Sequence, residues 1–179
     1  MGRTELFFMD ACHLVYKGFL GYLWSFGKFF VKTYPGKKRI NVLGSYNPIK
    51  KSLVSFADEN NINANSIIKM LHKLRYACKT KPIKVILDNA RYQHCLKVIK
   101  KAAQLNIELV FLPPYSPNLN IIERLWKYLK SKCLSSRNFE NSNIFFDCIK
   151  EFLIKSNTDE ITKNQISNLL ALNFQTFKS

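Results

Sequence analysis

Two short apolar runs in this sequence each end on an aspartate: Leu6-Phe7-Phe8-Met9 leads into Asp10, and Val85-Ile86-Leu87 leads into Asp88. An ionised carboxylate at the end of an apolar strand is costly unless something positive compensates it. A chain that accepts this cost twice is constrained: the two runs read as core strands of one sheet, and if they are neighbours their carboxylates converge.

The rest of the chain supplies a sheet for those strands. Leu6–Cys12, Gly21–Phe30 and Arg39–Ser45 are β-rich, and the turn Tyr34-Pro35-Gly36-Lys37 separates the latter two, which predicts three consecutive antiparallel strands. From Asn63 the spacing becomes helical, with Ile67, Met70, Leu71 and Leu74 on one face. A strand over Ile83–Leu87 follows, then a helix with Leu96, Ile99, Ala103 and Leu105 as its apolar positions, then a strand over Ile107–Leu112, a parallel βαβ unit. The remainder reads as helices over Asn120–Leu134, Asn143–Lys155 and about Thr158–Phe174. This order predicts one α/β domain over residues 1–179, with a core over about 6–135 and C-terminal helices over about 143–175. The fold class is a ribonuclease-H-like mixed five-stranded sheet, three antiparallel strands then βαβ, flanked by helices.

A third acid arrives on a helix. Ile122, Trp126, Leu129 and Cys133 form a stripe at i, i+4, i+7 and i+11 that predicts packing on the sheet, and Glu123 lies beside it in the first turn. Taken singly, Asp10 reads as an edge residue, Asp88-Asn89 as an Asx-turn and Glu123 as one half of a capping box with Asn120. Taken together they are three carboxylates at one place, which repel one another unless cations intervene. Magnesium is a hard ion that prefers oxygen ligands, and two such ions about 4 Å apart stabilise both the entering and leaving oxygens of a phosphoryl displacement. No nucleophilic side chain is needed, because water or a DNA 3′-hydroxyl attacks. Asp10, Asp88 and Glu123 are therefore the candidate catalytic and metal-binding residues, with two Mg²⁺ as cofactor and Mn²⁺ able to substitute.

Charge narrows the partner. Lys and Arg number 28 against 12 Asp and Glu, a net charge of +16 spread along the chain. That excess predicts a polyanion, and nucleic acid fits better than a membrane surface, which is usually met by one basic amphipathic helix. The apolar stretch Leu14–Val31 carries Lys17, Lys28 and three glycines, and so reads as a strand hairpin rather than a membrane span. No signal peptide is read at the start, because Glu5 and Asp10 interrupt it. The expected location is the cytoplasm of a prokaryote, with the nucleoid. Five cysteines without a C-x-x-C pair read as reduced thiols, and a zinc site from Cys12, His13, His72 and Cys78 lacks ligand-pair spacing.

The segments Leu87–His94 (LDNARYQH) and Leu112–Lys132 (LPPYSPNLNIIERLWKYLKSK) resemble the DDE-superfamily endonuclease domain of mariner-superfamily transposases, particularly the bacterial insertion-sequence branch. That family shows an Asp-Asn-Ala segment with a nearby His, then Pro-Pro-Tyr-Ser-Pro leading to an Asn, a Glu and a Leu-Trp. Each is present in order, with 34 residues between Asp88 and Glu123. The resemblance runs from about Phe7 to Leu134 and is weaker at its start, where Ala11 stands in place of a common Glu and Trp24 fits a frequent tryptophan. Asn118 and Ile121 stand where Asp and Pro are common. The resemblance implies cleavage at transposon ends, release of a 3′-hydroxyl and its transfer into target DNA.

Around the three acids, Asn89, His94 and Asn120 are candidates for supporting hydrogen bonds, and Arg91, Tyr115, Arg124, Lys127 and Lys130 for DNA contact. Trp126 lies on the core stripe and is expected to be buried. The expected partners are double-stranded DNA, both transposon ends and target, and a second copy or more of the chain on it. No helix-turn-helix module is read ahead of the first strand, so an N-terminal DNA-binding half encoded by an upstream reading frame is expected. Two alternatives remain at this point: another ribonuclease-H-like nuclease, and a domesticated DNA-binding module without turnover.

Overall fold

The computed structural model describes residues 4–16, 38–113, 119–134 and 139–171. Its five strands are β1 (Glu5–Val15), β2 (Arg39–Asn47), β3 (Ser52–Asp58), β4 (Ile83–Leu87) and β5 (Ile107–Phe111). They form one sheet in the order β3-β2-β1-β4-β5. The β1–β2 and β2–β3 pairs are antiparallel, whereas β4 runs parallel to both β1 and β5. Helices α1 (Ala64–Cys78) and α2 (Leu96–Gln104) cover one face. Helices α3 (Ile122–Cys133), α4 (Ser142–Thr158) and α5 (Glu160–Leu169) cover the other.

The two faces follow from the period of two along the strands. Phe8, Cys12 and Leu14 of β1 and Ile40, Val42 and Tyr46 of β2 pack under α3, α4 and α5. Phe7, Met9, Leu43, Val85 and Leu87 pack under α1 and α2. The predicted α1 face is the buried one, with Ile67, Met70, Leu71 and Leu74 fully inside. Asn63 caps α1 through a capping box with Ser66. At the other end, the Arg75 guanidinium donates to the carbonyls of Leu105, Lys79, Lys81 and Asn106 at 2.6–2.8 Å, tying α1 to the turn between α2 and β5. Glu5 is buried at the start of β1. Burial pushes its carboxyl up, but hydrogen bonds from Lys50, Lys81 and Asn47 outweigh it and hold the group below its ordinary value.

Two readings of the sequence need correction. The third antiparallel strand is Ser52–Asp58, which the residue pattern did not announce. As the sheet edge it buries only Leu53 fully, so its alternation is faint. The predicted strand Gly21–Phe30 lies outside the described residues. Helix α2 buries Val98 and Ala102, while Leu96 is 72% and Ile99 38% exposed and Ala103 is exposed too; only Leu105, just past the helix, packs inward as expected. A nine-residue helix offers several near-equivalent apolar stripes, and tertiary packing chose another.

Candidate active site

Asp10 lies in the middle of β1, paired across to Gly44 of β2. In the parallel ladder Phe8 faces Ile86, and continuing that register by two residues sets Asp88, the first residue beyond β4, alongside Asp10. Both acids carry the parity of Phe8 and Ile86, which belong to the α3 side of the sheet. The helix α3 packs on that side through Ile122, Leu125, Trp126, Leu129 and Cys133, all buried, and brings Glu123 in its first turn, where a negative charge also suits the helix dipole.

Two side chains from the same stretch hold the strand aspartates. Asn120, 1% exposed, does not cap α3; its Nδ2 donates to Asp88 Oδ1 at 3.1 Å and to the Met9 carbonyl at 3.2 Å. Its Oδ1 is buried and finds no hydrogen-bond partner among the described residues. Trp126, 4% exposed, donates from Nε1 to Asp10 Oδ2 at 3.0 Å. The indole has room because residue 44 is glycine: a Cβ there would stand 2.5 Å from Trp126 Cη2 and 2.9 Å from Cζ2. Asp10, its partner Gly44 and the ring over Gly44 form one interlocked unit.

The electrostatics match the geometry. Burial, then the charge of Asp88 and, more weakly, that of Glu123 raise the Asp10 carboxyl from 3.8 to about 7, against the lowering pull of the Ala11 amide and Trp126. Glu123 is raised as well, by burial and by Asp88, with Lys127 opposing. The Tyr92 phenol is raised by burial and by Asp10, and less by Asp88, so its hydroxyl belongs to the same neighbourhood. In each case burial is the larger cause and neighbouring negative charge adds to it. Among the described residues no group of three or more His, Cys, Asp or Glu is arranged to hold a single ion as the side chains stand. Three mutually repelling carboxylates, all hard oxygen donors, suit hard divalent ions held between them, and the unpartnered Asn120 Oδ1 adds a further oxygen beside Asp88.

The other candidates are dispersed. His94 is exposed and sits edge-on against Phe111, ring centroids 4.5 Å apart. Asn89, Arg91, Lys127 and Lys130 are exposed, and Lys130 places its charge near the buried Cys12 thiol, which burial pushes up to about 11. Arg124 donates to the Ala171 carbonyl at 3.3 Å and so joins α3 to the end of α5. Tyr115 lies outside the described residues. None of the five cysteines is in a disulfide.

The sequence profile of the DDE superfamily endonuclease family matches residues 5–145, which include all three acids. The chain belongs to that family. This DDE endonuclease also shares its fold with a solved Mos1 mariner paired-end complex with Mn, at a TM-score of 0.68 and 15% identity, covering 93% of this chain and 52% of that one. The Mos1 transposase catalytic domain solved with Raltegravir and Mg gives 0.61 at 14% identity, covering 97% and 86%. An uncharacterized Sinorhizobium fredii protein, y4pE/y4sA, is 47% identical over 36 residues, 20% of this chain and 27% of that protein. The DDE endonuclease chain thus spans about half of the first of these structures and a smaller share of the bacterial relative.

Two functional features escaped the residue reading. Trp126 was legible as core but not as the donor to Asp10, because nothing local to it points at residue 10. Gly44 did carry a signal, since a glycine inside an apolar strand often marks the close approach of another group.

Proposed function

We propose that this DDE endonuclease chain is the catalytic domain of a mariner-superfamily transposase, cutting DNA at transposon ends and transferring the released 3′-hydroxyl into target DNA. The observation that carries the reading is the meeting of Asp10, Asp88 and Glu123 on one sheet face, with burial and mutual repulsion holding Asp10 near 7. Asp10, Asp88 and Glu123 are the residues that hold two Mg²⁺, for which Mn²⁺ substitutes. When bound, the ions supply Lewis-acid stabilisation of the entering and leaving oxygens at phosphorus.

The chain's own residues do the rest. Asn120 fixes the Asp88 carboxylate against β1, and Trp126 fixes Asp10. The exposed Arg91, Lys127 and Lys130 supply contacts to the DNA phosphates. The partners we propose are duplex DNA at the transposon ends and in the target, a second copy of the chain, and an end-recognition half supplied by an upstream reading frame. The Mos1 neighbour described as a paired-end complex supports the expectation of a homodimer or larger assembly on DNA. Among the described residues no helix is long and apolar enough to cross a membrane, and we place the activity with the nucleoid DNA of a prokaryotic cytoplasm.

A nicking assay tests this. DNA bearing the element's terminal repeats is incubated with the chain in Mg²⁺ or Mn²⁺, with and without the product of an upstream frame. Metal-dependent nicks that vanish in Asp88→Ala, with DNA binding retained, are expected. Folded protein that binds the DNA but nicks it in neither metal sinks the enzyme reading in favour of a binding module.

A further inference from the structure

The basic charge, spread along the sequence, is unequal between the two helical layers. Residues 60–107, which build α1, β4 and α2, contain ten Lys or Arg and a single acid, Asp88. Residues 122–133 and 139–171, which build α3, α4 and α5, contain seven Lys or Arg and six acids. The three lysines of α4 and α5 each have a carboxylate partner on their own helix.

The layer of α1 and α2 is also a defined platform. Lys97 Nζ donates to Asn65 Oδ1 at 2.6 Å near the starts of the two helices, and Arg75 reaches Leu105 and Asn106 near their ends. The helices therefore lie side by side and run the same way. With Ile67, Met70, Leu71 and Leu74 turned to the sheet, α1 presents Lys69, His72, Lys73 and Tyr76 outward, the last 90% exposed. Lys69 and Lys73 lean towards β3, their ammonium groups 4.6 and 5.6 Å from the Phe56 ring centre. Beside α1, α2 offers the exposed Lys97 and Lys100 and the half-buried Lys101, with Leu96 turned outward. Lysines on both helices thus flank a surface carrying the exposed Tyr76.

We infer that the outer face of α1 and α2 binds a length of duplex DNA other than the one at the carboxylates, through its phosphates and without reading bases. The carboxylates face α3, so the sheet and a helix of roughly 10 Å diameter stand between the two surfaces. A duplex lying on the platform cannot also reach Asp10 and Asp88 without turning around the sheet. Lysines act on phosphate as point charges, which suits sequence-independent holding. The inference rests on the proposed action on DNA, and its test separates the two.

The test compares Lys69→Gln/Lys73→Gln/Lys100→Gln/Lys101→Gln with Lys150→Gln/Lys155→Gln/Lys163→Gln on the other layer. Binding to a random-sequence duplex of about 30 base pairs is measured from 50 to 200 mM salt, and Mn²⁺-dependent nicking of supercoiled plasmid is measured alongside. Each lost phosphate contact removes about 0.9 from the slope of log affinity against log salt. The platform variant is expected to lose about three or more from that slope and over tenfold in affinity at 100 mM salt, with nicking at saturating protein retained; the other variant is expected to lose less than one. Equal losses in both, with unchanged melting temperatures, overturn the platform. Slope lost only by the platform variant, in a protein that nicks nothing, leaves the platform standing and removes the enzyme reading. A wild-type chain that binds no duplex overturns both.

Discussion

Replacing Gly44 by Ala tests how the site is held. The new Cβ would lie 2.5 Å from Trp126 Cη2, whereas carbon atoms rest about 3.5 Å or more apart, so the ring must retreat by about 1 Å. The same movement stretches the 3.0 Å bond from Nε1 to Asp10 towards 4 Å, where it no longer counts as a hydrogen bond. Overpacking costs about 1–3 kcal/mol and a lost hydrogen bond to a charged group about 1.5–3 kcal/mol. The sum, about 3–5 kcal/mol, lowers the melting temperature of a chain this long by roughly 8–15 °C. A displacement of about 1 Å in a positioned group costs about a hundredfold in rate, read as Mn²⁺-dependent nicking. Trp126→Phe removes the donor and also the two ring carbons that the Cβ meets. Gly44→Ala should therefore cost about 1–3 kcal/mol less in the Trp126→Phe chain than in the wild type. Additivity of the two substitutions within about 0.5 kcal/mol, or wild-type nicking by Gly44→Ala, refutes the interlock.

Other outcomes follow from the same geometry. Because the folded value of Asp10 stands above 3.8, at about 7, its ionised form opposes folding. The penalty is absent below about pH 4, grows between 4 and 7, and at about 1.4 kcal/mol per pH unit reaches the order of 4 kcal/mol. In chelator the melting temperature should fall from pH 5 to pH 8, Mg²⁺ should raise it more at pH 8 than at pH 5, and Asp10→Asn should flatten the fall; calorimetry that shows none of these contradicts the repulsion argument. Asn120→Ala should weaken Mn²⁺ binding about 10–100-fold by releasing Asp88, and Asn120→Asp should weaken it less than it destabilises the metal-free fold, both measurable by thermal shift against Mn²⁺ concentration. Arg75→Lys keeps the charge but not the fork that serves four carbonyls, and should cost about 2–3 kcal/mol in urea unfolding with nicking per folded molecule unchanged.

The acids were readable from the sequence because their cost is local. A carboxylate at the end of LFFM or KVIL contradicts its own neighbourhood, and the stripe of α3 fixes where Glu123 stands whatever lies beyond it. That β1 and β4 are neighbours was a condition of that reading, and the sheet meets it. The third strand and the α2 face were not readable, since an edge strand and a nine-residue helix each receive their burial from elsewhere in the fold. The hydrogen bond from Trp126 to Asp10 joins residues 116 apart and depends on the side chain missing at Gly44. The charge asymmetry was present in the sequence all along, yet it acquired a meaning only once α1 and α2 were on one side of the sheet.

Helix α3 and the residue two places before it supply one carboxylate and the two donors that steady the other two. Asn120 and Trp126 are six residues apart: Asn120 ties Asp88 to the Met9 carbonyl, and Trp126 holds Asp10, the next residue of that strand. A single residue inserted between them would swing one grip away whenever the other was kept, whereas the turn from α1 into β4 touches no part of the site. The length of the chain before Asp88 is thus less constrained by the site than the count from Asn120 to Trp126.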